Sequence, residues 1–215
     1  MTLWLECRYD PIREQSCKLY MKRVFDFLVS LVGLVVLSPL LLVIMVMIKH
    51  EMSGPIFYRQ IRTGRYGKRF KICKFRSMRI DHDGNTTSVK GESRITPLGA
   101  RLRKYKLDEL PELWNVLIGD MSLVGPRPDV PEFTDRLTGD EKLILELRPG
   151  ITGPASLKYA REEEILSTVS DPLKHFDEVI WPDKMEMNLR YVRSRTFIGD
   201  LILIIRTVLG IRNWN

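Results

Sequence analysis

Residues 27–48 read FLVSLVGLVVLSPLLLVIMVMI, a run of 22 residues without a charged side chain. A straight helix of this length would rise about 33 Å, enough to cross a hydrocarbon core of about 30 Å. Ser38 and Pro39 interrupt the run near its middle. Because proline lacks an N–H and its ring clashes with the carbonyl four residues earlier, we expect the helix to kink or break there. Each half would rise only about 18 Å, too little to cross a bilayer alone.

The charged flanks of this run carry the same sign. Lys22 and Arg23 precede it, and Lys49 follows it. Lysine and arginine favour the cytoplasmic side of a membrane, so a hairpin that enters and leaves one leaflet would keep both flanks inside. The Ser38 hydroxyl could bond a carbonyl that Pro39 leaves free. These residues alone leave two interpretations open, a re-entrant hairpin and a kinked helix that spans the membrane.

The remaining chain is basic and of a size for one further domain. The net charge is +7 and the isoelectric point about 9.4, and residues 49–79 hold ten Lys or Arg against one acid, Glu51. Next to a membrane segment, such a cluster indicates contact with anionic headgroups or phosphates; an RNA-binding domain would not need a membrane hairpin. No second long apolar run follows, which excludes a polytopic carrier. We predict an extension over 1–20, a re-entrant helix over 21–50 and a cytoplasmic catalytic domain over 51–215.

Short patterns after the apolar run predict a mixed α/β domain. Residues 56–61 and 70–75 are short, alternating and rich in aromatic or β-branched types, which predicts a small β-hairpin or sheet. Residues 79–93 have loop composition, and a helix is expected over 108–118. Residues 197–211 predict an amphipathic helix at the membrane interface, with a core helix as the alternative. The predicted fold is therefore a membrane-associated α/β domain with a re-entrant helix-break-helix hairpin and amphipathic interface helices.

The acidic pair Asp108 and Glu109 is the first candidate for chemistry. Because Pro111 is tolerated only in the first turn, the helix is expected to start near Asp108. A carboxylate there lies at the positive end of the helix dipole and stays ionised. A common alternative is that Asp108 is an N-cap and Glu109 an ordinary acid of the first turn.

Basic residues in the same domain make a phosphate site the stronger interpretation. Lys74 and Arg76 lie on the second predicted strand, and Arg127 stands between Pro126 and Pro128 on a stiff loop. Clustered acids and bases are typical of sites that handle Mg²⁺ and phosphate, since Mg²⁺ takes one or two carboxylates and arginine offers phosphate a planar fork. The alternatives are a surface arginine on a turn and a basic edge strand that discourages aggregation.

Taken together, these segments resemble the bacterial sugar transferase family, the monotopic phosphoglycosyl transferases, in a minimal form without extra N-terminal membrane helices. The resemblance extends over about residues 21–210, with the motifs in family order. The matching motifs are KRVFDF (22–27), SP (38–39), GPIFYRQ (54–60), FKICKFRSM (70–78), LDELP (107–111), WNVL (114–117), GDMSLVGPRP (119–128) and LRPGITG (147–153).

The resemblance implies a reaction and a set of residue roles. The family moves a sugar 1-phosphate from a UDP-sugar to a polyprenyl phosphate such as undecaprenyl phosphate, releases UMP and requires Mg²⁺. Asp108 matches the nucleophile and Glu109 its partner, and both would contact the metal. Arg127, within Pro-Arg-Pro, matches the arginine that helps hold the nucleotide sugar, and Lys74 lies in the family's basic segment beside the site.

The resemblance also implies a location and partners. The chain would sit on the cytoplasmic face of the bacterial inner membrane, with Arg23, Ser38 and Pro39 as membrane residues of the re-entrant helix. Its partners would be the UDP-sugar, the polyprenyl phosphate, bilayer phospholipids and downstream glycosyltransferases, and not nucleic acid. A membrane-anchored basic scaffold or binding module without catalysis is the alternative function.

Overall fold

The structure is a computed structural model that describes residues 11–79 and 94–211, with side chains from Leu19 onward. Most of the predicted polar loop 79–93, and the first ten residues of the predicted extension, lie outside the described residues. Residues 11–20 of that extension are the first turns of a helix.

Nine α-helices and four strands make up the described parts of the chain. The helices are α1 Pro11–Glu51, α2 Pro97–Lys104, α3 Glu112–Ile118, α4 Pro131–Thr134, α5 Pro154–Lys158, α6 Glu162–Thr168, α7 Pro172–His175, α8 Trp181–Ser194 and α9 Phe197–Val208. The strands are β1 Phe57–Thr63, β2 Arg69–Phe75, β3 Ser122–Val124 and β4 Gly150–Thr152. Short 3-10 helices cover Arg65–Gly67, Leu107–Glu109 and Gly139–Glu146, and a π-helical segment, Phe176–Ile180, joins α7 to α8.

Two small sheets confirm the predicted β content. β1 and β2 pair antiparallel in the register Phe57 to Phe75, and β3 and β4 pair in parallel. The turn between β1 and β2 contains Tyr66 and Gly67, both with positive φ. Glycine adopts that conformation without strain, which suits this tight connection.

The long helix α1 continues through Pro39 without an interruption. The Ser38 hydroxyl donates to the Val35 carbonyl at 2.7 Å, which is the carbonyl that the missing N–H of Pro39 leaves free. The predicted serine bond is therefore present, whereas the helix break is not seen and a re-entrant hairpin is not shown. Among the described residues, Leu19–Glu51 is the one helical segment long and apolar enough to cross a membrane.

One side of α1 packs on the domain and the other stays exposed. Ile44 and Ile48 in its second half, with Met52 directly after it, form a cluster with β2 and α2. Its outer face is apolar and exposed, as at Val36, which is 68 % exposed. A second core lies between α3, the β3–β4 pair, α8 and α9; its most buried members include Val116, Met121, Val124 and Leu203.

The predicted C-terminal amphipathic helix is α9. Leu203 and Asp200 are buried on one side, while Ile198 and Val208 are exposed. The Asp200 carboxylate accepts hydrogen bonds from Lys22 of α1 and from Tyr191 of α8. Because three helices meet at this carboxylate, α9 is fixed beside the start of α1 with its apolar face outward.

Candidate active site

The acidic pair lies in a tight turn rather than in an α-helix. Asp108 and Glu109 belong to the 3-10 turn Leu107–Glu109, and α3 begins only at Glu112, after Pro111. The expected helix start near Asp108 is therefore wrong by one turn, because the chain passes through this 3-10 turn before Pro111. Both acids are nevertheless buried, at 9 % and 8 % exposure.

Two cations from distant parts of the chain converge on Glu109. Lys74 of β2 places its Nζ 3.0 Å from Glu109 Oε1, and Arg127 donates to the same oxygen at 2.5 Å. Burial alone would raise the pKa of Glu109, but Arg127 and Lys74 outweigh burial and hold it well below the usual value. Glu109 in turn raises the pKa of Arg127. Both members of this pair are therefore charged at neutral pH.

Asp108 has different surroundings from its neighbour. Its Oδ1 is buried and accepts no hydrogen bond among the described residues. Burial, and then the adjacent charge of Glu109, raise the pKa of Asp108. A buried carboxylate oxygen without a partner loses the solvation it had in water. It is thereby available to a metal ion or an electrophile.

Glu112 is a third acid of the site that the sequence analysis did not select. It is 1 % exposed, and its Oε1 lies 3.2 Å from Lys74 Nζ, so one ammonium is shared with Glu109. Burial raises the pKa of Glu112 to about 7. Its spacing in the sequence could have identified Glu112, because it lies three residues after Glu109 and therefore on the same polar face of the predicted helix.

Asn115 fixes the position of β2, and with it Lys74, relative to α3. Its side chain accepts from Cys73 N and donates to Lys71 O, both at 2.9 Å. These two bonds satisfy backbone groups of β2 that have no partner strand on that side. Lys74 is the residue after Cys73 in β2, so the amide of Asn115 positions Lys74 beside Glu109 and Glu112.

The Pro-Arg-Pro loop is rigid, and the arginine is accessible. The Pro126 carbonyl accepts from Gly150 N at 2.8 Å, and the Pro128 carbonyl accepts from Arg62 at 3.2 Å. The side chain of Arg127 is 39 % exposed even while it contacts Glu109. It therefore keeps donors for a ligand that arrives from solution.

Two other predicted residues have structural contacts. Arg76 is buried and donates to the carbonyls of Met52 and Ser53, so it ties the end of β2 to the end of α1. Arg23 donates to the Val116 and Leu117 carbonyls at 2.6 and 2.8 Å, which caps the last turn of α3. The structure brings Lys74, Glu109 and Arg127 together and gives Arg76 this separate role.

The residues present suit a metal ion that is shared with a substrate. Among the described residues, no three His, Cys, Asp or Glu side chains form a metal-binding group. Mg²⁺ commonly takes one or two carboxylates together with substrate phosphate oxygens, and the unpartnered oxygen of Asp108 fits that pattern. Glu109 is a poorer ligand in this arrangement, since its Oε1 already contacts two cations.

Comparisons with known proteins match most of the chain to one family. The family described as bacterial sugar transferase matches residues 17–213. The exopolysaccharide production protein PSS of Rhizobium leguminosarum bv. phaseoli is 42 % identical over 201 residues, covering 89 % of this chain and 95 % of that protein.

Two further relatives differ in length. The UDP-glucose:undecaprenyl-phosphate glucose-1-phosphate transferase of Klebsiella pneumoniae is 37 % identical over 192 residues, covering 87 % of this chain but only 39 % of that enzyme. The uncharacterized sugar transferase EpsL of Bacillus subtilis (strain 168) is 32 % identical over 188 residues, covering 87 % of this chain and 85 % of that protein.

Proposed function

Because this chain belongs to the bacterial sugar transferase family, we propose that it transfers a sugar 1-phosphate from a UDP-sugar to undecaprenyl phosphate or a related polyprenyl phosphate, releasing UMP. The names of relatives such as the Klebsiella enzyme support this donor and this acceptor. The observation that carries the proposal is the pairing of a buried, unpartnered Asp108 oxygen with a neighbouring glutamate held by two cations.

The first half of the reaction uses Asp108 as the nucleophile. A carboxylate oxygen of Asp108 attacks the phosphorus that bears the sugar, and the bond from that phosphorus to the oxygen of UMP breaks. UMP leaves with the bonding electron pair, and the sugar phosphate remains as an acyl phosphate on Asp108.

The second half regenerates the carboxylate. A phosphate oxygen of the polyprenyl phosphate attacks the same phosphorus, and the bond to Asp108 breaks. The product is a polyprenyl diphosphate sugar, and Asp108 is an ionised carboxylate again. Splitting the transfer allows a water-soluble donor and a lipid acceptor to use one site in turn.

Three further residues would stabilise charge in the reaction without forming a covalent bond to the substrate: Glu109, Lys74 and Arg127. Arg127 is partly exposed and can donate to the diphosphate of the donor, while Glu109 holds its guanidinium in place. Lys74 is shared by Glu109 and Glu112, so it adds a positive charge beside the reacting phosphorus without leaving the site.

Asp108 would hold Mg²⁺ with the substrate diphosphate, in keeping with its free oxygen. When bound, the ion would neutralise charge on the diphosphate and so improve UMP as a leaving group. Asp108 has two carboxylate oxygens, so one can face the ion while the other attacks.

The membrane arrangement belongs to the same proposal. The exposed apolar faces of α1 and α9 support insertion into the cytoplasmic leaflet of the bacterial inner membrane, with α9 lying in the interface. We propose that α1 bends at Ser38–Pro39 in lipid, so that both of its ends face the cytoplasm. The bond from Ser38 to Val35 supports a bend, since it satisfies a carbonyl there.

A donor labelled in the sugar, supplied without a lipid acceptor, tests the reaction. Wild-type protein should gain the mass of a sugar phosphate on the peptide that contains Asp108, and UMP should appear in equal amount. The matched control is Asp108→Asn, which should gain no label. If no label becomes covalent and UMP leaves only when both substrates are bound, transfer is direct and Asp108 is a metal ligand.

A further inference from the structure

A basic cleft lies at the opposite end of α3 from Asp108. We propose that this cleft binds the phosphate group of an anionic phospholipid. The inference rests on the proposed membrane location and is independent of the proposed reaction. The cations that line the cleft are Lys22, Arg23, Arg65, Arg148 and Arg195.

Several arginine donors in the cleft are still available. Backbone carbonyls occupy both terminal nitrogens of Arg23, whereas Arg65 and Arg148 use only their Nε, toward Glu146 O and Gly119 O. Arg195 makes no hydrogen bond within the described part of the chain. Each guanidinium has five N–H donors, so the terminal nitrogens of Arg65, Arg148 and Arg195 retain donors for an anion in the cleft. The Arg65 guanidinium also stacks on Tyr66, with its central carbon 4.5 Å from the ring centroid.

The local acids do not balance this charge. Two acids line the cleft, Asp26 and Glu146, against the five cations. The oxygens of Asp26 accept from Ser122 and from Leu123 N. Asp200 is engaged by Lys22 and Tyr191. Burial, followed by the positive charges of Arg65 and Arg23, lowers the pKa of Arg148, as expected for crowded cations. A phosphate, with its several acceptor oxygens, would relieve this repulsion.

The position of the cleft favours a lipid over a soluble phosphate. Lys22 and Arg23 stand just before the apolar run of α1, and Arg195 stands just before α9. Phe197 and Ile198, at the start of α9, are 45 % and 71 % exposed. The cations therefore lie where exposed apolar helices meet the polar domain, which is the level of the phosphates in a bilayer that holds those helices.

Titration of the full chain in mild detergent with phosphatidylglycerol, followed by native mass spectrometry, tests the site. Wild-type protein should bind phosphatidylglycerol in preference to phosphatidylcholine. Arg195→Gln should weaken phosphatidylglycerol binding by about tenfold or more, since it removes charge-assisted hydrogen bonds to the lipid phosphate. The matched control is Arg190→Gln on α8, five residues before Arg195, an arginine whose side chain is 71 % exposed; this change should alter binding less than about twofold.

Three results would overturn the proposal. The first is equal binding of the two lipids, and the second is equal weakening by Arg195→Gln and Arg190→Gln, which would indicate general surface charge. The third is binding of glycerol 3-phosphate as tightly as phosphatidylglycerol, which would make this a site for a soluble phosphate. Asp108→Asn should bind phosphatidylglycerol like wild type, so failure of the proposed reaction and failure of the lipid site are separable.

Discussion

The two ends of α3 differ in how they handle charge, although they are only about 9 Å apart. At its start, the buried acids Glu109 and Glu112 contact cations from other elements, and the buried Asp108 lies beside them. At its last turn, Arg23 of α1 binds the free backbone carbonyls. The comparison teaches that the N-terminal end of α3 holds the charged side chains of the candidate site. The C-terminal end is held by hydrogen bonds that fix the helix on α1.

At the N-terminal end of α3, the two neighbouring acids Asp108 and Glu109 differ in their contacts. Glu109 contacts two cations through one oxygen, so its charge is fixed and its atoms are occupied. Asp108, its neighbour in sequence, has a buried oxygen without a hydrogen bond among the described residues. We therefore assign attack to Asp108 and the positioning of Arg127 and Lys74 to Glu109.

The largest effect is expected from Asp108→Asn. An amide is not a nucleophile, so turnover should fall by roughly 10⁴-fold or more, as for other covalent catalysts that lose their nucleophile. Steady-state release of UMP with donor and acceptor present measures the effect, and membrane association should persist. Glu109→Gln should also be severely impaired, but with labelling of Asp108 still detectable. An Asp108→Asn protein with near wild-type turnover would contradict the asymmetry between the two acids.

A smaller effect is expected from Arg127→Ala. Without the Arg127 side chain, the charge-assisted hydrogen bonds to the donor diphosphate are lost, and each such bond contributes roughly 1.5–3 kcal/mol. We therefore expect kcat/KM for the UDP-sugar to fall by about 10- to 150-fold. Arg136→Ala, an exposed arginine on the segment after α4, serves as the control. An unchanged kcat/KM for the donor would remove Arg127 from the site.

Local patterns predicted the parts of the fold that depend on local contacts. The hairpin β1–β2, the helix α9 and the bond from Ser38 to a freed carbonyl followed from short patterns of residues. The family resemblance is confirmed over residues 17–213. The sequence left open whether α1 breaks at Pro39 or continues through it, because a serine bond to the freed carbonyl is compatible with both.

Long-range partners could not be predicted. Arg23 reaches a carbonyl 93 positions away, and Lys74 reaches acids on another element. Arg76 was predicted to bind substrate, yet it is buried against the end of α1. No short pattern distinguishes an arginine that binds phosphate from one that binds carbonyls, since both need the same donors.

Glu112→Gln tests how much the buried charge of Glu112, at the N-terminal end of α3, destabilises the folded protein. The pKa of Glu112 is about 7 in the folded protein and about 4.5 in the unfolded chain, so the folded state binds the proton more tightly. Ionised Glu112 therefore destabilises the fold above about pH 7, and the penalty disappears as the pH falls to 4.5. The variant should be more stable than wild type at pH 8, by up to about 3 kcal/mol, and the gain should shrink as the pH falls between these values.

Thermal unfolding across this pH range measures that difference. Glu132→Gln changes an exposed acid of α4 in the same way and should leave the wild-type pH profile unshifted. If Glu112→Gln is the less stable protein at pH 8, the ion pair with Lys74 outweighs the penalty of burial.

The smallest effect is expected at the other end of α3, from Arg23→Ala. The change removes two hydrogen bonds from a guanidinium to the Val116 and Leu117 carbonyls and should lower the free energy of unfolding by roughly 1–3 kcal/mol. Arg23→Lys should lose part of this, because an ammonium lacks the planar fork that reaches both carbonyls. Arg190→Ala, which removes an exposed arginine, should cost less than about 0.5 kcal/mol. If thermal unfolding in detergent shows equal losses for Arg23→Ala and Arg190→Ala, packing alone holds this end, and the contrast between the two ends of α3 fails.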